Sequence, residues 1–121
     1  SWSFGGDFTS ESGSRAFIDF KRKGLKNIAI FGCNDHSCFG FMKAANEHGY
    51  KIPEDFIIAG YDNLSFCESI TPELTSISTD FGSLGNQVIQ TIENMISKKK
   101  EIIGQVSMIP VKIVIRKSTR T

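Results

Sequence analysis

The sequence has little net charge, few cysteines and no long apolar run. Its 14 Lys and Arg residues nearly balance 13 Asp and Glu residues, and the resulting net charge of +1 offers no field that would attract nucleic acid or an anionic membrane. No apolar segment approaches the roughly 20 residues that a membrane-spanning helix needs, and the first residues lack the charged start and apolar stretch of a signal peptide. We therefore expect neither membrane insertion nor direct DNA binding by these residues.

The three cysteines, Cys33, Cys38 and Cys67, are an odd number and have apolar neighbours, unlike the cysteines of a disulfide scaffold. Free thiols and a cytoplasmic location are the simpler interpretation. Cys33, His36 and Cys38 match no common pair of zinc ligands and have no second pair downstream, so no metal site is predicted. No cofactor is predicted either, because the full GxGxxG spacing of a dinucleotide-binding turn is missing.

The usual residue patterns of an enzyme are also missing. Ser12, Ser14 and Ser37 have no histidine at a meaningful spacing, and the residues around Cys33 do not form the Gly-x-Ser-x-Gly turn that presents a hydrolase nucleophile. An α/β enzyme would need a nucleophile and a base within hydrogen-bond distance of each other. We therefore expect a protein that is not an enzyme.

Short apolar runs alternate with helical patterns along the chain. The predicted helices are residues 10–23, residues 35–48 with Asp35 as cap, and residues 83–97, followed by the cations Lys98, Lys99 and Lys100. The predicted strands are a short one at residues 2–4, then residues 27–33, 56–61 and 75–79, and a β-rich stretch at residues 106–116. Residues 27–33 and 56–61 are apolar throughout, which is typical of strands buried on both faces. This order predicts an α/β fold with a doubly wound, mainly parallel sheet flanked by helices.

Polar and aromatic residues follow the predicted strands. Ligands of an open parallel sheet bind outside the carboxyl ends of its strands. The residues at these ends are Asp7 and Phe8, Asn34 and Asp35, Asp62 and Asn63, and Asp80 and Phe81. Carboxylate and amide groups suit the hydroxyls of a sugar or the edge of a base, and an aromatic ring can stack on the apolar face of either. The set predicts a binding site for a small polar molecule.

Several of these residues have a structural interpretation as well. Asp35 fits a helix cap as well as a ligand contact, and Asp7 fits a cap or a turn. Phe8 and Phe81 fit a hydrophobic core. Asp62 favours a ligand contact, because no helical pattern begins immediately after it.

Several motifs, in order over nearly the whole chain, resemble regulators of the lactose/galactose-repressor (LacI/GalR) family. They are GDFxxESGxRA from Gly6, IFGCND from Ile30 with Gly40-x-x-x-Ala44, IPEDFIIAGYDN from Ile52, TPELTSIS from Thr71 with Leu84-Gly85, and VIRKST from Val114. The resemblance implies a periplasmic-binding-protein-like effector domain with two subdomains, preceded by a helix-turn-helix module. It implies that residues 1–121 are a single partial domain, the C-terminal portion, with the DNA-binding module and the N-terminal subdomain outside it.

The resemblance also implies a function and a set of contacts. The family consists of allosteric, homodimeric repressors that bind a sugar or purine effector between two subdomains and contact operator DNA through the separate module. The effector contacts that it implies are Phe8, Asn34, Asp35, Asp62 and Phe81. The dimer contacts that it implies are Cys38, Phe39, Met42, Leu64, Phe66 and Ile70. The alternative is a periplasmic sugar-binding protein of a transporter, against which the unpaired cysteines and the VIRKST segment argue.

Overall fold

Helices and strands alternate along the chain in a computed structural model that describes residues 1–25, 27–97 and 106–120. The longer elements are α1 (Ser10–Arg22), β1 (Ala29–Phe31), α2 (Asp35–Glu47), β2 (Ile57–Tyr61), β3 (Thr75–Thr79), α3 (Phe81–Ile96) and β4 (Val111–Val114). Two short 3-10 helices lie at Ser65–Glu68 and Lys117–Thr119. The described residues form a first compact unit within Ser1–Ser78 and Ile113–Thr121, and a second within Thr79–Lys112.

Strands β1 to β4 form one sheet in the order β1-β2-β3-β4. Strand β1 pairs in parallel with β2, with Ala29 opposite Ile57, and β2 pairs in parallel with β3, with Ala59 opposite Thr75. Parallel neighbours need a crossover connection, and α2 provides it between β1 and β2. The predicted α/β class with a mainly parallel sheet is therefore confirmed.

Helices α1 and α2 lie close together because small residues stand where they meet. A Cβ atom added to Gly13 would collide with the backbone carbonyl of Ser37, and one added to Gly40 would collide with that of Ser10. Behind this contact lies the hydrophobic core of the first unit, which contains Phe17, Phe20, Cys38, Phe41, Met42, Ala44, Ala45, Phe56, Ile58, Cys67 and Leu74.

Each long helix begins at a polar cap whose side chain accepts a hydrogen bond from a backbone N–H of the first turn. The caps are Thr9 for α1, Asn34 for α2 and Asp80 for α3. The prediction that Asp35 caps α2 is therefore wrong, because Asp35 already lies inside the helix. Helix α3 starts at Phe81, two residues before the predicted start, because the cap is Asp80.

Two predictions about strands are wrong. Residues 2–4 do not form a strand; instead the indole of Trp2 packs edge-on against Phe20, with ring centroids 6.1 Å apart, and donates a hydrogen bond to Asp19. Strand β1 is shorter than predicted and is not buried on both faces, since Ala29 and Phe31 are exposed and Ile30 between them is half-buried. Alternating burial shows that one face of β1 packs on the core and the other does not.

The chain is less regular towards its end than the sequence predicts. Of the β-rich stretch at residues 106–116, only Val111–Val114 forms a strand. Lys98, Lys99 and Lys100 lie outside the described residues. None of the helices in the described part of the chain has the length and hydropathy needed to cross a membrane.

Candidate functional site

Two neighbouring parallel strands each end in an adjacent Asn and Asp. Asn34 and Asp35 follow β1, and we call residues 32–35 the first exit. Asp62 and Asn63 follow β2, and we call residues 62–64 the second exit. Because β1 and β2 are paired in parallel, both exits lie at the same edge of the sheet.

The amide of Asn34 is committed at both ends to the protein. Its Oδ1 accepts hydrogen bonds from the backbone N–H of Ser37 at 3.1 Å and from the Ser37 hydroxyl at 2.6 Å. Its Nδ2 donates to the backbone carbonyl of Phe8 at 2.8 Å. Asn34 thus caps α2 and ties the segment before α1 to the first exit.

The carboxylate of Asp35 faces the protein interior and is completely buried. Its Oδ2 accepts hydrogen bonds from the backbone N–H of Leu64 at 2.8 Å and from the Cys67 thiol at 3.1 Å. Its Oδ1 accepts one from the hydroxyl of Ser76 at 2.6 Å. Burial and the hydrogen bond to Asp35 raise the pKa of Cys67 to about 12, so this thiol stays protonated and acts as a donor. Asp35 therefore joins α2 to the second exit and to β3.

The second exit is built on an uncommon backbone conformation. Asp62 has φ +111° and Asn63 has φ +53°, values that L-residues other than Asn and Asp rarely adopt. The backbone N–H of Asp62 donates to the carbonyl of Ile77 at 2.9 Å, which fixes the start of the turn against β3. No described residue donates a hydrogen bond to the carboxylate of Asp62, which is half-buried.

The surroundings of Asp62 disfavour its charged form. Partial burial is the main cause that raises the pKa of Asp62, and the negative charge of Asp35 adds to it, whereas His36 acts in the opposite direction. A half-buried carboxylate with unused acceptor positions gains from a donor such as a hydroxyl or an N–H group. The arrangement suits the binding of a polar molecule.

Phe8 lies beside the first exit with its ring turned to solvent. Phe8 is 62% exposed and has φ +64°. Its carbonyl is the group held by Asn34. Phe8 also lines an apolar cavity of about 750 Å³ between the N-terminal segment, α1 and β1, whose wall includes Phe31 and Cys33. An exposed ring next to polar groups is able to stack on the apolar face of a ligand.

The structure gathers four of the five predicted effector residues in the first unit. Phe8 contacts Asn34, and Asp35 contacts the turn that carries Asp62. Phe81 belongs to the second unit, where it is the first residue of α3 and is 62% exposed.

Sequence reasoning missed Arg116, which is 8% exposed. Its Nη1 donates to the carbonyl of Leu74 at 2.8 Å, and its Nη2 donates to Asn63 Oδ1 at 2.8 Å and to Glu68 Oε1 at 2.9 Å. Arg116 is the arginine of the VIRKST motif and follows an apolar strand. An arginine in that position has to find several acceptors when it is buried, and this was the signal available in the sequence.

The predicted dimer contacts fall into two groups. Cys38 and Met42 are 2% and 4% exposed and belong to the core, so within this chain they offer almost no surface to a partner. Phe39, Leu64, Phe66 and Ile70 are half-buried. The rings of Phe39 and Phe66 meet edge-on with centroids 5.8 Å apart.

All three cysteines are free, as predicted. Cys33 is exposed, whereas Cys38 and Cys67 are buried. Burial, followed by the charge of Asp35, raises the pKa of Cys38 to about 12. Two of the three thiols are therefore packing groups.

Sequence comparison finds relatives among bacterial regulators. The chain is 36% identical over 118 residues to the NTD biosynthesis operon regulator NtdR of Bacillus subtilis, covering 98% of this chain and 36% of that protein. It is 31% identical over 119 residues to the HTH-type transcriptional repressor PurR of Mannheimia succiniciproducens, covering 98% and 35%. The chain thus spans about a third of the length of these curated relatives.

Solved structures agree with the sequence relatives. The lac repressor dimer bound to operator and the anti-inducer ONPF superimposes with a TM-score of 0.86 at 27% identity, covering 96% of this chain and 34% of that one. A LacI family transcriptional regulator from Enterococcus faecium with bound ribose gives a TM-score of 0.79 at 30% identity, covering 94% and 42%. Residues 4–119 match the periplasmic binding protein-like domain. The chain therefore belongs to the periplasmic binding protein-like domain family, in the form found in LacI/GalR-type regulators.

Proposed function

We propose that the chain is the C-terminal, effector-sensing portion of a cytoplasmic transcription repressor of the LacI/GalR type, with the N-terminal subdomain and a helix-turn-helix module outside residues 1–121. The observation that carries this proposal is the half-buried carboxylate of Asp62, which has unused acceptor positions at the carboxyl end of β2. Its environment already disfavours the bare charge, so a ligand donor improves its situation. The similarity to NtdR, PurR and the lac repressor supports the regulatory role.

The proposed effector is a small polar molecule with hydroxyl or N–H donors and an apolar face, such as a sugar or a purine. Asp62 accepts hydrogen bonds from its donors, and the exposed ring of Phe8 stacks on its apolar face. Asn34 contributes by holding the backbone of Phe8. Phe81 remains a proposed second aromatic contact on the strength of the family resemblance.

Effector binding would act on DNA binding by a population shift. An effector that binds one arrangement of the subdomains more tightly than another changes the equilibrium between them. In the proposed homodimer this changes how the two DNA-binding modules are placed on operator DNA. Phe39, Leu64, Phe66 and Ile70 are the residues that we retain as proposed dimer contacts, since none of them is fully buried in the chain.

A thermal-shift screen of the full-length regulator tests this function. The panel contains pentoses, hexoses and purine bases, and we expect at least one member to raise the melting temperature and to change operator affinity. Asp62→Ala should weaken binding of that member by about 10-fold to 100-fold, the effect of losing hydrogen bonds to a charged group. Glu47→Ala, which removes an exposed carboxylate at the far end of α2, is the matched control. Binding that survives Asp62→Ala unchanged would contradict the proposed site.

A further inference from the structure

The turn at the second exit requires support from the rest of the protein. Asp62 and Asn63 are consecutive non-glycine residues with positive φ, at +111° and +53°. Sparsely populated backbone conformations persist only where the surrounding structure determines them, and they concentrate at functional sites. Two buried charged residues from distant parts of the chain supply that support.

Asp35 supports the turn from α2. It accepts a hydrogen bond directly from the backbone N–H of Leu64 at 2.8 Å. It also orients Ser76, whose hydroxyl donates to Asp35 at 2.6 Å and accepts from the backbone N–H of Asn63 at 3.1 Å. Two consecutive amide groups of the turn therefore depend on one completely buried carboxylate.

Arg116 supports the turn from the segment after β4. Its guanidinium donates to the side-chain oxygen of Asn63 at 2.8 Å. The guanidinium also donates to the carbonyl of Leu74 and to the carboxylate of Glu68. The backbone N–H of Arg116 donates to the hydroxyl of Thr75 at 2.7 Å. A guanidinium has a planar fork of donors with fixed directions, so it holds Asn63 in one orientation.

From these contacts we propose that Asp35 and Arg116 are positioning residues, which hold the turn so that the Asp62 carboxylate faces the effector. The inference rests on the function proposed above and assigns these two residues a role without contact to the effector. It also replaces the direct ligand contact that the family resemblance implies for Asp35. The backbone N–H groups of the turn donate to protein acceptors, Asp62 to Ile77, Asn63 to Ser76 and Leu64 to Asp35. The side-chain amide of Asn63 is bound by Arg116 and Ser78.

A double-mutant cycle on the full-length regulator tests the role of Arg116. Arg116→Lys keeps the positive charge and loses the planar set of guanidinium donors. Its effect on effector binding is measured in the parent and in the Asp62→Ala background. The titrant is the sugar or purine of the thermal-shift panel that the parent binds. We expect Arg116→Lys to weaken binding by about tenfold in the parent and by less than about twofold when Asp62 is already absent. Equal weakening in both backgrounds would mean a general structural role and would overturn the proposal.

Two further variants distinguish a specific effect on the turn from a general loss of folding. Asp35→Asn keeps the shape of the side chain and replaces one acceptor oxygen by a donor, and it should show the same dependence on Asp62. Lys117→Ala, which removes the exposed neighbour of Arg116 and its ion pair with Glu73, should leave binding within about twofold.

Amide hydrogen exchange of the effector-free regulator provides a readout that needs no ligand. Arg116→Lys and Asp35→Asn should accelerate exchange at residues 62–64 while leaving exchange in α1 unchanged. Uniform acceleration, or none at the turn, would overturn the proposal. If no panel member binds, the proposed function fails by itself, and the exchange experiment still decides whether these residues hold the turn.

Discussion

The first and second exits carry the same two residue types in opposite order. At the first exit Asn34 precedes Asp35; the amide caps α2 and the carboxylate is completely buried. At the second exit Asp62 precedes Asn63; the amide is bound by Arg116, and the carboxylate accepts no hydrogen bond from any described residue. In both pairs the asparagine serves the fold, whereas the two aspartates serve different purposes.

The position of the next helix explains this difference. Helix α2 includes Asp35 as its first residue, so the helix itself turns that side chain towards β3 and the second exit. After β2 the next element begins only at Ser65, and residues 62 and 63 must reverse the chain by themselves. A residue in such a turn has few neighbours, which leaves the carboxylate of Asp62 partly exposed.

The largest expected effect separates the two aspartates by their contribution to stability. Asp35→Ala leaves three donors without an acceptor, the part-buried N–H of Leu64 and the buried side-chain groups of Cys67 and Ser76. We expect the free energy of unfolding to fall by about 3 kcal/mol. Asp62→Asn loses no hydrogen bond and keeps a residue type that tolerates the positive φ, so it should change this free energy by less than about 0.5 kcal/mol. Urea unfolding of both variants measures the difference, and equal losses would show that the exits are not distinct in this way.

The sequence predicted where the two exits lie better than it predicted the contacts that their side chains make. Apolar runs and helical spacing located the three long helices and the parallel strands, because these patterns are local. The partners of Asp35, in contrast, lie 29 and 41 residues away at Leu64 and Ser76. No local pattern encodes such a distance.

The wrong predictions of the α2 cap and of a strand at residues 2–4 also arose because distant contacts are not visible in the local sequence. Asn and Asp are about equally good helix caps, so the sequence could not decide which residue of the pair lies outside α2. The aromatic residues near Trp2 have high strand propensity, but Trp2 packs against Phe20 and does not join the sheet. In both cases tertiary contacts decided between local alternatives.

The second prediction compares glycines at the ends of the two strands. A Cβ atom on Gly60 would collide with Asp35 Oδ1, which is fixed by hydrogen bonds, and would lie 3.3 Å from Leu74. A Cβ atom on Gly32 would collide with the thiol of Cys38, which is held by one weak hydrogen bond to the carbonyl of Ala59. We expect a loss of about 2 kcal/mol for Gly60→Ala and about 1 kcal/mol for Gly32→Ala in urea unfolding. The reverse order would argue that the hydrogen bonds of Asp35 do not fix its position.

The third prediction separates the two uses of Asn34. Asn34→Ala removes the cap of α2 and should cost about 1 kcal/mol in unfolding free energy. Asn34→Asp keeps an oxygen for the N–H of Ser37 and should stay within about 0.5 kcal/mol of the parent. The aspartate has no donor for the carbonyl of Phe8, so this variant should still bind the effector more weakly. Full binding by Asn34→Asp would show that the position of Phe8 does not depend on this contact.

The smallest expected effect concerns pH and arises only at the second exit. The raised pKa of Asp62 means that the folded protein holds this proton more tightly than the unfolded chain does. Stability from Asp62 should therefore be greatest at low pH and should fall as pH rises from the ordinary pKa of an aspartate to the raised one. Effector binding needs the charged acceptor, so affinity should change in the opposite direction and weaken as pH falls through the same interval. Unfolding free energy and effector affinity are measured from pH 4 to 7 for the parent and for Asp62→Asn, and the difference between the two proteins gives the part that depends on Asp62. If stability and affinity changed with pH in the same direction, the assignment of Asp62 as the effector's acceptor would be contradicted.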